Sequence, residues 1–184
     1  MAEATPGIWT VPHFLNQREC DPLIARAEAA GFKRATINAQ GRAVIDTGVR
    51  NNDRVILDDE ELADGLWWRI REHLPAFLSG RQAIGLNERF RFYRYEPGQQ
   101  FKGHTDGAYL RTNGQLSLLT FMIYLNEGYL GGETAFATKV VEPQCGLALL
   151  FHHDIFHEGR EVLQGKKYVL RSDVMFNPIG RLSG

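Results

Sequence analysis

Cysteine is scarce in this chain, and its two residues, Cys20 and Cys145, lie far apart and belong to no spaced motif. They predict two reduced thiols in a cytoplasmic protein. An excess of either charge is also lacking: 21 Lys+Arg against 22 Asp+Glu leave a net charge of -1. That balance argues against a nucleic-acid partner. Long apolar runs are missing too. LALLF (147–151) is strand-sized and far too short to cross a bilayer, so no membrane partner is expected. The N-terminal MAEATPGIWTVPHF lacks a basic start followed by an apolar stretch, and no secretory signal is read there. No repeat, low-complexity tract or linker interrupts the 184 residues, which predicts one domain over 1–184, large enough to bury its own core.

Two segments carry helical periodicity. Asn16 with Glu19 reads as a capping box ahead of Cys20, Leu23, Ile24 and Ala27, with Gly31 as the stop. A second stripe, Leu62, Leu66, Ile70, Leu74 and Phe77, is expected to start at a cap formed by Asp58 and Glu61 and to end at Gly80. The helical support region is therefore placed at about 14–80.

From about 87 to 177 the period is two. NERFRFYRY (87–95) puts Phe90 and Phe92 on one face and Arg89, Arg91, Tyr93 and Tyr95 on the other. QLSLLTFMIYLN (115–126) puts Leu116, Leu118, Thr120, Met122 and Tyr124 opposite Leu119, Phe121, Ile123 and Leu125. GLALLFHH (146–153) and KYVLRSDVMF (167–176) read as further strands. Helices followed by strands predict an α+β fold, mainly β: antiparallel sheets in a sandwich or barrel, with the helices covering one sheet.

Of six histidines, His13 and His73 read as surface or packing residues, and the other four fall in the strand-rich half. His104 and Asp106 are two apart, so an extended backbone sends both side chains to one face. A third ligand from HHDIFHEG (152–159), whether His152, His153 or His157, would complete a two-histidine, one-carboxylate triad. Such a triad leaves coordination positions open and suits iron(II) and O₂ chemistry. The competing reading is a turn held by Asp106 hydrogen bonds. Lys167 lies ten residues after His157, in a strand apolar on both faces, where a buried lysine needs an anionic partner. A hairpin is expected to bring it alongside His157, where it could hold the far end of a metal-bound dicarboxylate.

FRFYRYEPGQQFKGHTDG, LLTFMIYLNEGYLGGETAF and GLALLFHHDIFHEGREVLQGKKYVLRSDVMF, in this order, resemble the prolyl 4-hydroxylase-like branch of the Fe(II)/2-oxoglutarate-dependent dioxygenases. RNNDR (50–54) is similar to the N-terminal part of its small bacterial members. The resemblance implies a double-stranded β-helix of the jelly-roll or cupin type, closed by GGETAF (131–136). It implies His104, Asp106 and His157 as metal ligands and catalytic residues, and Lys167 as the partner of the 2-oxoglutarate C-5 carboxylate. Tyr95 and Tyr124 line the co-substrate pocket in this reading. His152 and His153 receive no ligand role, and Arg171 is the competing carboxylate anchor. The implied activity is hydroxylation of an unactivated C–H bond, of a prolyl residue or a small amino-acid-like molecule, using Fe(II), 2-oxoglutarate and O₂, with succinate and CO₂ released and ascorbate bound as an accessory.

Substrate is expected to be a peptide or small molecule. The loop GAYLRTNGQ (107–115), with Tyr109 and Arg111, is one recognition candidate, the segment 37–54 another, as a lid, and Arg91 a third. Gly103 and Gly107 are expected to let the backbone turn around the metal. The alternatives are a cupin-like metal-binding isomerase or small-ligand sensor, which has no need of Lys167, and a degenerate interaction module, which is expected to lose part of the triad. Oligomeric state is not legible.

Overall fold

The computed structural model describes residues 5–39 and 42–178, with side chains described outside 37–43. Its fold is mainly β, a double-stranded β-helix with two helices packed on one sheet. The major sheet runs, in spatial order, Ile8–Val11, Ala148–His152, Leu116–Tyr124, Lys167–Phe176, Arg89–Tyr95, Asp53–Asp58 and Lys33–Arg34, all antiparallel. Arg81–Leu86 pairs with the far end of Lys167–Phe176. A minor sheet, Val140–Val141, Thr134–Phe136, His157–Gly159 and Phe101–His104, faces the interior side of the major one.

Alternation along the central strands produces two separate cores, because successive side chains leave a strand on opposite faces. Phe90, Phe92, Leu119, Phe121, Ile123, Leu170 and Val174 pack outward against helix α1 (Gln17–Ala30) and helix α2 (Glu60–Ile70). Tyr93, Tyr95, Met122, Tyr124 and Val169 point between the sheets, against Phe136, Val141 and Phe151. The two-residue pattern read from the sequence assigns these faces correctly from Leu119 to Leu125 and fails at Leu118. A β-bulge between Ser117 and Leu119 inserts Leu118 as an extra residue, and Leu118 packs with the outer core.

Helix α1 is capped as expected: the Asn16 side chain accepts from the Glu19 N–H, the Glu19 carboxylate accepts from the Asn16 N–H, and Gly31 ends the helix at φ 83°. Helix α2 departs from the expectation at both ends. Its cap is Asp59, whose carboxylate accepts from the Leu62 N–H, and it stops at Ile70 before one 3₁₀ turn over Arg71–His73. Pro75 forces Leu74 into an extended conformation (ψ 151°), so the stripe cannot continue. Phe77 instead enters a short strand and is 66% exposed, and Gly80 turns the hairpin to Arg81–Leu86. The two cysteines, distant in sequence, come near each other: α1 carries Cys20 toward Cys145, whose thiol donates to the Leu125 carbonyl at 3.5 Å. No described helix is long and apolar enough to cross a membrane.

Candidate metal centre

Phe101–His104 and His157–Gly159 pair antiparallel with His104 opposite His157, which sets the two imidazoles side by side on the interior face. Their ring centroids are 4.3 Å apart. Asp106 follows the end of its strand, tied by its N–H to the His153 carbonyl at 2.8 Å. Its carboxylate oxygens lie 3.6 Å from His104 Nε2 and 3.8 Å from His157 Nε2. Donor atoms of all three residues lie within 4.8 Å of one another.

The tautomers fit a metal. His104 Nδ1 donates to the Lys102 carbonyl at 2.8 Å, and His157 Nδ1 to the Ile155 carbonyl at 2.9 Å. Each Nε2 lone pair is thereby directed toward the other ligands, the arrangement in which metal-bound histidines are held. Burial pushes the His157 imidazole down to about 4, outweighing the pull of Asp106, so the ring is neutral. For Asp106 burial works toward protonation, but the Arg171 charge and the hydrogen bond from Thr120 outweigh it and hold the carboxylate far below its usual range. Two imidazoles and a carboxylate on one side of a cavity fit a divalent cation with open positions.

Lys167 and Arg171 line the same cavity from the opposite sheet. The expected hairpin does not place Lys167 beside His157. The chain crosses between sheets through Val162–Gln164, which pairs with Leu130–Gly131, so lysine and histidine face each other across the interior. Lys167 is 2% exposed, donates to the Gly132 carbonyl at 2.6 Å, and sits 5.0 Å from the Tyr95 ring centre and 5.4 Å from that of Tyr124. Tyr95 lines the cavity, whereas Tyr124 stands behind it, its hydroxyl bonded to Thr134 Oγ1 at 2.6 Å.

The proposed substrate residues separate. Arg111 is held by Glu88 and Gln115 at a surface away from the described cavity lining. Its charge is spent on loop structure. Tyr109 is 39% exposed, with its N–H bonded to Ser117 Oγ at 2.7 Å. Arg91 pairs with buried Asp173 at 3.1 Å and lies opposite Arg171 in the register. Of the candidate lid 37–54, Gln40, Gly41 and the side chains of 37–43 lie outside the described residues; Ile37–Ala39 and Arg42–Val44 form a hairpin. Neither Gly103 nor Gly107 has positive φ. Gly103 instead makes room for the Phe156 ring, which would have to move because a Cβ there would fall 2.3 Å from it.

Two contributors were not read from the sequence. Arg50, in RNNDR, is 4% exposed and lays its guanidinium 4.0 Å from the Phe101 ring centre. Phe101 in turn stacks on His104 with centroids 3.5 Å apart, so a cation, a phenyl ring and an imidazole form one brace. A cationic residue in an otherwise polar segment gave no periodic signal. The other is His153, which bonds Ser117 Oγ and Thr120 Oγ1, each at 2.9 Å, while Thr120 donates to Asp106 Oδ2 at 2.5 Å.

The sequence model of the 2OG-Fe(II) oxygenase superfamily matches residues 90–172. A probable prolyl 4-hydroxylase from Arabidopsis thaliana (number 8) is 27% identical over 137 residues, covering 71% of this chain and 45% of that protein; the chain thus spans about half the length of that curated relative. The viral collagen prolyl hydroxylase of Paramecium Bursaria Chlorella virus-1, solved with 2-oxoglutarate, superposes with a TM-score of 0.67 at 25% identity, covering 91% of this chain and 95% of the viral one. A Trichoplax adhaerens prolyl hydroxylase, in complex with a hypoxia inducible factor peptide fragment, shares the fold at a TM-score of 0.70 and 18% identity, over 92% of this chain and 84% of its own. With its His-Asp-His cluster and cavity lysine set on this fold, the chain is similar to the 2OG-Fe(II) oxygenase superfamily over residues 90–172 and to prolyl 4-hydroxylases among its relatives.

Proposed function

We propose that the chain is an Fe(II)- and 2-oxoglutarate-dependent oxygenase that hydroxylates an unactivated C–H bond of a prolyl residue or an amino-acid-like molecule, releasing succinate and CO₂. One observation carries this reading: a His-Asp-His triad and a buried lysine without a carboxylate partner within bonding distance among the described residues face one cavity. His104, Asp106 and His157 would hold Fe(II), which supplies O₂ activation coupled to decarboxylation of the co-substrate. Lys167 would bind the distal carboxylate of 2-oxoglutarate by a charge-assisted hydrogen bond in a dry pocket. Tyr95 walls that end of the cavity. Phe101 and Arg50 fix the His104 ring from outside, and Gly103 leaves room for Phe156 next to His157.

The peptide held by the Trichoplax neighbour supports a peptide-sized substrate. Ascorbate as reductant and a cytoplasmic setting belong to the same reading, as does the assignment of 1–184 to one catalytic domain. A cupin-like isomerase or sensor has no use for Lys167. The test is anaerobic addition of Fe(II) and 2-oxoglutarate: the weak visible charge-transfer band of the chelate is expected in the wild type and absent in His157→Ala. Wild-type protein without the band sinks the proposal.

A further inference from the structure

Lys167 is the closed end of the cavity; the charges at its metal end have a different surplus. Arg171 leaves the strand Lys167–Phe176 on the same face as Lys167, four residues on, a separation of about 13 Å. Its Nη2 lies 3.1 Å from Asp106 Oδ1 and 3.5 Å from Asp173 Oδ1. Asp173 is 1% exposed and is shared with Arg91 at 3.1 Å. The Nε of Arg171 is buried and has no hydrogen-bond partner among the described residues.

On the oxygenase reading above, on which this inference rests, the charges of a divalent metal, Asp106, doubly anionic 2-oxoglutarate and Lys167 cancel. What remains is Arg91 and Arg171 against the single carboxylate of Asp173, a net positive charge in the wall. Arg50, behind Phe101, adds to the same sign. A largely buried cation requires an anionic partner, and a guanidinium matches a carboxylate with two parallel N–H donors. The side chains of Arg171 and Arg91 retain 15% and 20% exposure, whereas Lys167 is sealed at 2%, so the surplus lies on the side from which a second reactant arrives.

We propose that Arg171, backed by Asp173 and Arg91, is the substrate anchor, and that the substrate bears a free carboxylate near the oxidised carbon. This selects a free amino or imino acid, or a C-terminal residue, over an internal residue of a neutral peptide. Asp173 and Arg91 are positioning residues: the carboxylate fixes the guanidinium of Arg171, and Arg91 keeps Asp173 from neutralising it fully.

The test uses full-length protein loaded anaerobically with Fe(II) and 2-oxoglutarate, titrated with free amino acids, L-proline among them, and with their carboxamides. Perturbation of the visible band reads binding without turnover, and succinate release in air follows. At least one acid is expected to bind about tenfold or more tightly than its amide. Arg171→Met should abolish that preference, and Arg171→Lys, which keeps a charge beside Asp106, should restore part of it with 2-oxoglutarate affinity changed less than about twofold, since that ligand's distal anchor is Lys167. Acid and amide engaging equally, or neither engaging, overturns the proposal even if Arg171→Met fails to fold. Arg171→Lys weakening 2-oxoglutarate beyond that assigns Arg171 to the co-substrate and overturns it as well. A missing band in the wild type overturns the oxygenase reading itself, and this anchor with it.

Discussion

The outward face of the major sheet carries Phe90, Phe92, Leu119, Phe121, Ile123 and Leu170; the inward face of the same strands carries Tyr93, Tyr95, Thr120, Met122, Lys167 and Arg171. Alternate residues of single strands thus serve opposite ends. Outside, apolar rings meet two amphipathic helices, and burial is gained without polar groups to satisfy. Inside, a lysine, an arginine and a carboxylate are taken from water, which costs stability and is kept for what those groups bind. Since a one-residue slip would exchange the two sets, the outer core also fixes the register that aims the inner one.

The comparison is broken most severely from outside. Phe121 is 0% exposed and meets Phe14 edge-on at 5.8 Å. Phe121→Ala should cost about 3–5 kcal/mol of folding stability through cavity formation. Metal and 2-oxoglutarate affinities of the molecules that remain folded should match the wild type. Urea unfolding beside anaerobic ligand titration checks both, and a loss of affinity at preserved stability would refute the division between the faces.

From inside the signs reverse. Lys167→Met should leave stability unchanged or raised, because an apolar side chain of similar volume replaces a buried charge, while 2-oxoglutarate affinity falls by about a hundredfold. Burial pushes Lys167 from 10.5 down to about 7, only partly opposed by Glu133. In the ligand-free protein the cost of the buried ammonium is therefore full below pH 7. It is relieved as pH rises from 7 toward 10.5, because there the unfolded chain holds a proton that the folded chain lacks. A bound carboxylate restores the ammonium, so binding takes up a proton above pH 7 and Kd should rise by about tenfold per pH unit there. Calorimetry in buffers of different ionisation enthalpy reads that proton; a flat profile in the wild type, or a slope retained in Lys167→Met, would contradict it.

How far the sequence spoke differs between the faces for a physical reason. The outer face was legible from periodicity because an apolar stripe needs only the right period, and the cap at Asn16 needs only local hydrogen bonds. Helix α2 was read too long, since Leu74 and Phe77 keep the period while Pro75 denies the backbone its continuation. On the inner face, His104 and Asp106 share a short segment and were visible as a pair, but the choice among His152, His153 and His157 depended on which strands meet across the barrel. Alternation could not assign Leu118 either. Its bulge is a pairing event between Leu116–Tyr124 and Lys167–Phe176, and nothing in either strand alone announces it.

That bulge is what gives His153 its place. With Leu118 expelled, Ser117 and Thr120 both reach the His153 ring though three apart in sequence. The single hydroxyl proton of Thr120 goes to Asp106 Oδ2, so Thr120 Oγ1 must accept from His153 Nδ1–H. His153 Nε2 then accepts from Ser117, whose oxygen accepts the Tyr109 N–H. Burial lowers the His153 pKa and favours this neutral ring. The chain of bonds joins the 107–115 loop to Asp106, a proposed metal ligand, and partners of this kind alter metal affinity by about 10–100-fold. His153→Leu should therefore weaken Co(II) binding within that range with 2-oxoglutarate absent. His153→Asn, whose amide can stand where Nδ1–H stood, should retain most of the affinity. Equal losses in the two variants would reduce His153 to a packing residue, and wild-type affinity in His153→Leu would remove it from the inner face's chemistry altogether.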